Sequence, residues 1–180
     1  MAALLKIPSI KNATALHLER WYQLCADPSL QRLPYRIETN CYGHTVLLPP
    51  PGFTHSNLQL EIGHLLKILM SGGRALTECA VLTSDGVKGA DVAYISESRI
   101  KRGLKNDVLT IAPEICVEVM SPGNTRQEME NKRELYFAAG AEEVWFCDPK
   151  GALHFFLKGS EASAAKASAL CPSMPKRVKV

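Results

Sequence analysis

The sequence has no Cys-x-x-Cys pair and no cysteine–histidine spacing of the kind that holds zinc. Its six cysteines (Cys25, Cys41, Cys79, Cys116, Cys147 and Cys171) are scattered. Several fall in expected strands, where a free cysteine acts as a small apolar residue, so the chain reads as reduced and cytoplasmic. No apolar run approaches the ~20 residues of a membrane span. The opening MAALLKIPSIK holds too short an apolar stretch for a signal peptide, and lysine and proline interrupt it. No segment repeats. A net charge of only +3 neither establishes nor opposes a polyanionic partner. The basic end Pro175-Lys176-Arg177-Val178-Lys179 reads first as a solvated terminus. What is present is ordinary for a globule: 180 residues, 46% hydrophobic and 22% charged, enough for one domain with a sizeable core.

Local patterns give an order of elements. Asn12 or Thr14 can cap a helix through LHLERWYQLCAD, which Pro28 and Pro34 keep from continuing. YRIETNCYGHTVLL reads as a hairpin turning at Asn40 to Gly43. After the stiff PPPG connector, Thr54 or Ser56 can cap a helix that Gly72-Gly73 stops. Its apolar stripe is Leu58, Ile62, Leu65, Leu66 and Leu69. ALTECAVLT and DVAYI follow as strands joined at Asp85-Gly86, with GVKGAD as a polar turn, and then a charged loop from Glu97 to Asn106. Ile115 to Met120 is the next strand. Thr125-Arg126-Gln127-Glu128 carries a capping box for a helix that Gly140 ends, and Val144 to Cys147 returns as a parallel strand. LHFFL makes a last strand, and GSEASAAKASA reads as a flexible loop. The fold class is α/β or α+β, a mixed β-sheet flanked by helices. Residues 1–33 read as a helical extension, and residues 34–180 as the main domain.

Two charges sit where apolar residues belong. Glu118 is the only charge in the strand Ile115 to Met120, and a buried carboxylate needs a cation, a metal or several donors. Strand alternation puts Cys116, Glu118 and Met120 on one face. At ~100° per residue, Lys132 shares the sheet-facing arc of the next helix with Met129, Leu135, Tyr136 and Ala139. Its ammonium either reaches water on a long stem or points back toward the strand end, to Glu118 or a substrate phosphate. Glu118 alone is equally explained by an arginine pair, and Asp91 alone by a strand-end turn. In company, two carboxylates from neighbouring strands can hold a hard cation such as magnesium. His55, at the start of the Leu58 helix, is a candidate phosphate contact and Glu61 a candidate further metal ligand. Both are also ordinary cap-region or solvated residues. Ser121-Pro122-Gly123 ahead of a helix can bind an anion or be a plain turn. Trp145 and Tyr136 read as core, and Asp148-Pro149 as a turn.

The stretches THSNLQLEI, GVKGADVAYIS, PEICVEVMSPGNTRQEMENKRELYFAAGAEEVWFCDP and LCPSMPKRVKV resemble the Uma-type restriction endonuclease family of the PD-(D/E)xK nuclease superfamily. The resemblance runs from about Tyr35 to the end. It implies a restriction-endonuclease-like fold and a homodimer. It also matches Asp91 to the first acid, Glu118 to the second, and Lys132 to a lysine displaced onto the following helix. Met120 stands where the simple motif has lysine, and Ala90 where proline usually precedes the first acid. The implied chemistry is magnesium- or manganese-dependent hydrolysis of nucleic acid, DNA by analogy, with no membrane partner. Asp91, Glu118 and the Val119 carbonyl would hold the metal, and Lys132 would assist the attacking water. Two other readings stay open: a nucleic-acid-binding or assembly protein without turnover, and a structural dimer in which Glu118 and Lys132 are a buried ion pair.

Overall fold

A computed structural model describes residues 13–33 and 35–180. The segment MAALLKIPSIK, the capping candidate Asn12 and Pro34 lie outside the described residues.

The centre is a seven-stranded mixed sheet in the order β5-β6-β3-β4-β7-β8-β9. Its longest members are β3 (Gly73–Thr83) and β4 (Gly86–Ser96), an antiparallel hairpin. β7 (Ile115–Val119) pairs antiparallel with β4 and parallel with β8 (Glu143–Cys147), and β9 (Leu153–Leu157) closes that edge antiparallel to β8. On the other side lie the short β5 (Leu104–Lys105) and β6 (Val108–Leu109). A separate two-stranded hairpin, β1 (Arg36–Thr39) and β2 (Thr45–Leu48), turns where the sequence places it.

Helices cover both faces. α2 (Phe53–Leu69) buries Leu58, Ile62 and Leu66 completely, against Val92, Val117, Trp145 and Phe155. Each such side chain stabilises by roughly 1.5–3 kcal/mol. Leu65 is half-buried and Leu69 exposed, so the expected stripe narrows toward the C-terminus of the helix. α4 (Arg126–Ala138) lays Met129 and Tyr136 on the opposite face with Cys116, Val144 and Phe146. Its capping box is formed as expected, Thr125 and Glu128 bonding each other's backbone amides. Gly140, at φ +108, ends the turn after it. α1 (Ala13–Ala26) packs Leu18, Trp21 and Tyr22 around Leu82, Val87 and Val108.

Several local expectations are corrected. Thr14 lies inside α1 and cannot cap it. α2 is capped at Gly52 without a side-chain bond, one residue before Phe53, so neither Thr54 nor Ser56 is the cap. The turn between β3 and β4 is Ser84-Asp85, and GVKGAD is strand, because β1 docks on it. The Val87 amide donates to Thr39 Oγ1 and the Lys88 ammonium to the Thr39 carbonyl, while Asp85 holds the same ammonium at 2.9 Å. A Cβ at Gly86 would stand 2.6 Å from the Thr39 carbonyl oxygen, so only glycine admits that approach. The charged stretch after Ser96 is not a loop but α3 (Glu97–Gly103), capped by the Ser96 hydroxyl. Its Arg99 is buried because its guanidinium bonds the Ala112 and Gly140 carbonyls and Glu142.

The low-complexity segment GSEASAAKASA forms no helix or long strand, as expected, but it is tied down. Ala165 bridges Phe155, and Glu143 Oε1 accepts from the Ala169 and Leu170 amides at 2.7 Å each. Glu143 Oε2 accepts from Trp145 Nε1 at 2.7 Å. Removing this buried acceptor would orphan three donors. Glu143→Ala is therefore expected to cost about 2–4 kcal/mol in a denaturant melt and to expose the segment to proteolysis. An unchanged melt would show that the segment is not held through Glu143.

Candidate active site

The two candidate acids, Asp91 and Glu118, stand on the neighbouring strands β4 and β7. The antiparallel register runs from Tyr94↔Ile115 to Val92↔Val117, and one step further places Asp91 opposite Glu118. At that step strand alternation breaks. Cys79 and Leu76 on β3, and Ala90 and Ala93 on β4, all face the α4 layer, though each pair is separated by two residues. Both strands change phase together at Glu78 and Asp91, and Glu78 takes a left-handed φ of +52. A non-glycine residue there is strained, on the order of 1 kcal/mol, and such strain concentrates at functional positions.

The break frees the Asp91 side chain to replace a ladder contact. Asp91 Oδ2 accepts from the Val119 amide at 2.7 Å, tying the first acid to the residue after the second. Asp91 Oδ1 meets Arg36 Nη1 at 2.9 Å and lies 3.2 Å from His55 Nε2. The latter contact falls short of a well-aligned hydrogen bond. Burial works against ionisation of Asp91. The His55 ring, the Val119 amide and Arg36 more than offset it, so the carboxyl lies below its ordinary value.

Glu118 is handled from the opposite layer. Its Oε2 accepts from Lys132 Nζ at 2.9 Å and its Oε1 from the Tyr136 hydroxyl at 2.7 Å. Burial pushes its carboxyl up to about 7; Lys132 and Tyr136 pull it down, whereas the charges of Asp91 and Glu38 add to the rise. Lys132 also reaches Glu38 Oε1 at 3.2 Å. Burial disfavours its charge, but the two carboxylates prevail and hold its ammonium above the ordinary lysine value. About a quarter of the Lys132 side chain is exposed (24%), leaving an approach from solvent.

Sequence reasoning did not identify Glu38, Arg36, Gln59 or the second role of Tyr136. Glu38 and Arg36 come from the β1 hairpin, far from the motif, and nothing local marks them. Gln59 donates to the Asp91 carbonyl at 3.1 Å and to Glu78 at 2.6 Å. It lies one helical turn after His55, on the same face. Tyr136 was readable from its i+4 spacing to Lys132. Ser121 Oγ lies 3.2 Å from His55 Nδ1, at the C-terminal end of β7. Glu61 is half-buried and makes no bond to Asp91 or Glu118 among the described residues. Nor do the described residues hold a group of three or more His, Cys, Asp and Glu side chains arranged to bind a metal by themselves.

Residues 18–166 match the model of a family described as "Putative restriction endonuclease", Uma2. The chain belongs to this family. The match begins inside α1, earlier than Tyr35, and stops before the closing LCPSMPKRVKV. Among solved structures, the chain is similar to one described as "a putative nuclease belonging to DUF820" from Anabaena variabilis. The TM-score is 0.64 at 18% identity, covering 83% of this chain and 91% of that one. At that identity the likeness is one of fold, and it agrees with the mixed sheet flanked by helices. No curated protein matches the chain. For this Uma2 member, the family and fold are nuclease-like, and no described helix is long and apolar enough to cross a membrane.

Proposed function

We propose that the chain is a magnesium- or manganese-dependent nuclease that hydrolyses phosphodiester bonds of nucleic acid, DNA in the first instance. The observation that carries this reading is the approach of Asp91, Glu118 and Lys132 from β4, β7 and α4: Asp91 accepts from the Val119 amide beside Glu118 at 2.7 Å, and Glu118 accepts from Lys132 at 2.9 Å. The charge balance supports it. Among the described residues, Asp91, Glu118, Glu38 and Glu78 pair with two permanent cations, Arg36 and Lys132. Oxygen donors with surplus negative charge suit a hard divalent cation. Asp91, Glu118 and the Val119 carbonyl would hold it, and the bound ion would lower the pKa of a water and offset charge on the phosphate. Lys132, kept cationic by Glu118 and Glu38, would orient the attacking water and meet the phosphate. His55 and Ser121, at the ends of α2 and β7, would contact the neighbouring backbone.

One observation favours a second reading, a nucleic-acid binder without turnover. Every carboxylate oxygen of Asp91 and Glu118 already has a protein partner, with Arg36 standing on Asp91. Supercoiled plasmid incubated with magnesium, manganese or EDTA separates the two. The nuclease reading expects nicking with either metal, none in EDTA, and a loss of about 100-fold or more in Asp91→Asn. Binding without nicking would favour the silent scaffold, and equal nicking by the variant would remove Asp91 from the site.

A further inference from the structure

The basic end of the sequence is not a free terminus. Residues 174–178 are fastened as an added edge against the β8–β9 turn. Leu153 donates to the Lys176 carbonyl, Val178 to the Gly151 carbonyl, and Ala152 bridges Arg177, each backbone bond at 2.9 Å. Met174 and Val178 are buried in the α2-side core, so Arg177 and Lys179 face outward. Gly151, at φ +81, admits this close approach: a Cβ there would collide with the Val178 carbonyl. The expectation of a solvated end fails because Met174 and Val178, which flank Pro175, Lys176 and Arg177, are apolar and find a core.

The fastening places the tail beside the candidate site. The C-terminal ends of β7 and β8 lie at the same end of the sheet as the start of β9. Asn57, two residues after His55 in the first turns of α2, donates to the Lys179 carbonyl at 3.3 Å. Lys150 sits in the turn against which the tail packs, its carbonyl accepting from Arg177 Nη1 at 2.6 Å. Lys150, Lys176, Arg177 and Lys179 are all exposed, and none makes an ion pair among the described residues. The nearest acid in sequence, Asp148, is turned inward to accept from the Lys150 and Ala152 amides.

We infer that Lys150, Lys176, Arg177 and Lys179 form a preorganised basic rim that docks the sugar-phosphate backbone of nucleic acid and feeds it to the Asp91–Glu118 end of the sheet. The ligand class rests on the nuclease reading above, while three of the four rim residues, Lys176, Arg177 and Lys179, lie outside the matched range of the family. Four exposed cations along one short edge suit the densely charged sugar-phosphate backbone, which carries about one negative charge per 3.4 Å of helix axis on each strand. Contacts of this kind fix register and orientation without reading sequence.

The test is the salt dependence of binding to a labelled duplex, measured in EDTA so that no cleavage intervenes. The triple variant Lys150→Gln/Lys176→Gln/Lys179→Gln is compared with a control of equal charge loss at the opposite end, Lys101→Gln/Arg102→Gln/Lys158→Gln. All six side chains are exposed, so the fold is kept. Each lost phosphate contact removes about one unit of slope in log K against log salt. The rim variant is expected to lose about 2–3 units and at least tenfold in affinity near 0.1 M salt, and the control less than one unit. Single Lys150→Gln should lose about one unit. Equal slopes in rim and control variants overturn the rim, even if the wild type nicks plasmid. A wild type that binds with the expected rim dependence but never nicks keeps the rim and removes the nuclease. A wild type that binds no duplex at low salt removes both.

Discussion

Glu118→Gln is expected to abolish nicking and, at the same time, to make the fold more stable at pH 8. The carboxyl is pushed from an ordinary 4.5 up to about 7, burial being the largest cause. Its folded value is raised, so its stabilising contribution is complete below about 4.5 and is lost as pH rises through about 7. Above that window the wild type carries a buried charge that the unfolded chain bears more easily, a penalty on the order of 3 kcal/mol. Glutamine resembles the protonated acid and escapes it, while still offering hydrogen-bonding groups to Tyr136 and Lys132. Thermal melts at pH 5 and pH 8 check the sign. The variant should match the wild type at pH 5 and melt higher at pH 8. A variant less stable at both would show that Glu118 serves the fold and not a site held ready for a cation.

Lys132→Met should have the opposite profile. Glu118 and Glu38 would lose the ammonium that both touch, at 2.9 and 3.2 Å, and keep their burial. Removing one partner of a buried pair costs about 3–5 kcal/mol, because the remaining charge is left uncompensated. The loss should be largest at pH 8 and shrink toward pH 5, as Glu118 takes up a proton in place of its cation. Methionine preserves most of the stem volume, so packing is not the cause. Nicking should fall by about 100-fold or more even at a pH where the variant is fully folded. Retained nicking in folded Lys132→Met would make the lysine a purely structural counter-charge.

The opposite pH profiles of these two variants arise from one feature already legible in the sequence, two charges at positions that periodicity assigns to the interior. Glu118 in an apolar strand and Lys132 in an apolar arc mark two charges in need of partners, and their mutual pairing was one of the readings open to the sequence. The capping box at Thr125 and the return strand at Val144 place them on one crossover unit, and the structure agrees. Asp91 was less legible. Its neighbours GVKGAD have turn composition, and only the docking of β1, with Lys88 bonded to Thr39 and Asp85, makes them strand. α3 was hidden for a related reason, since Arg99 appears solvated until the Ala112 and Gly140 carbonyls meet it. Glu38 and Arg36 were beyond reach altogether, because the hairpin that carries them meets the site only through long-range contacts. The tail shows the same limit, as its buried Val178 and exposed Arg177 and Lys179 separate only once the Gly151 turn is beside them.

Everything proposed for this site depends on Asp91 and Glu118 taking up one divalent cation between them. Arg36 now contributes positive charge to Asp91, and a proton is favoured on Glu118 below about 7. A cation must compete with both. Manganese titrated into the protein by calorimetry at pH 6 and pH 8 reads this directly. One site per chain is expected, tighter at pH 8, releasing close to one proton at pH 6 and far less at pH 8, and lost in Asp91→Asn. Manganese binding that is absent, or that is unchanged in Asp91→Asn, would contradict it.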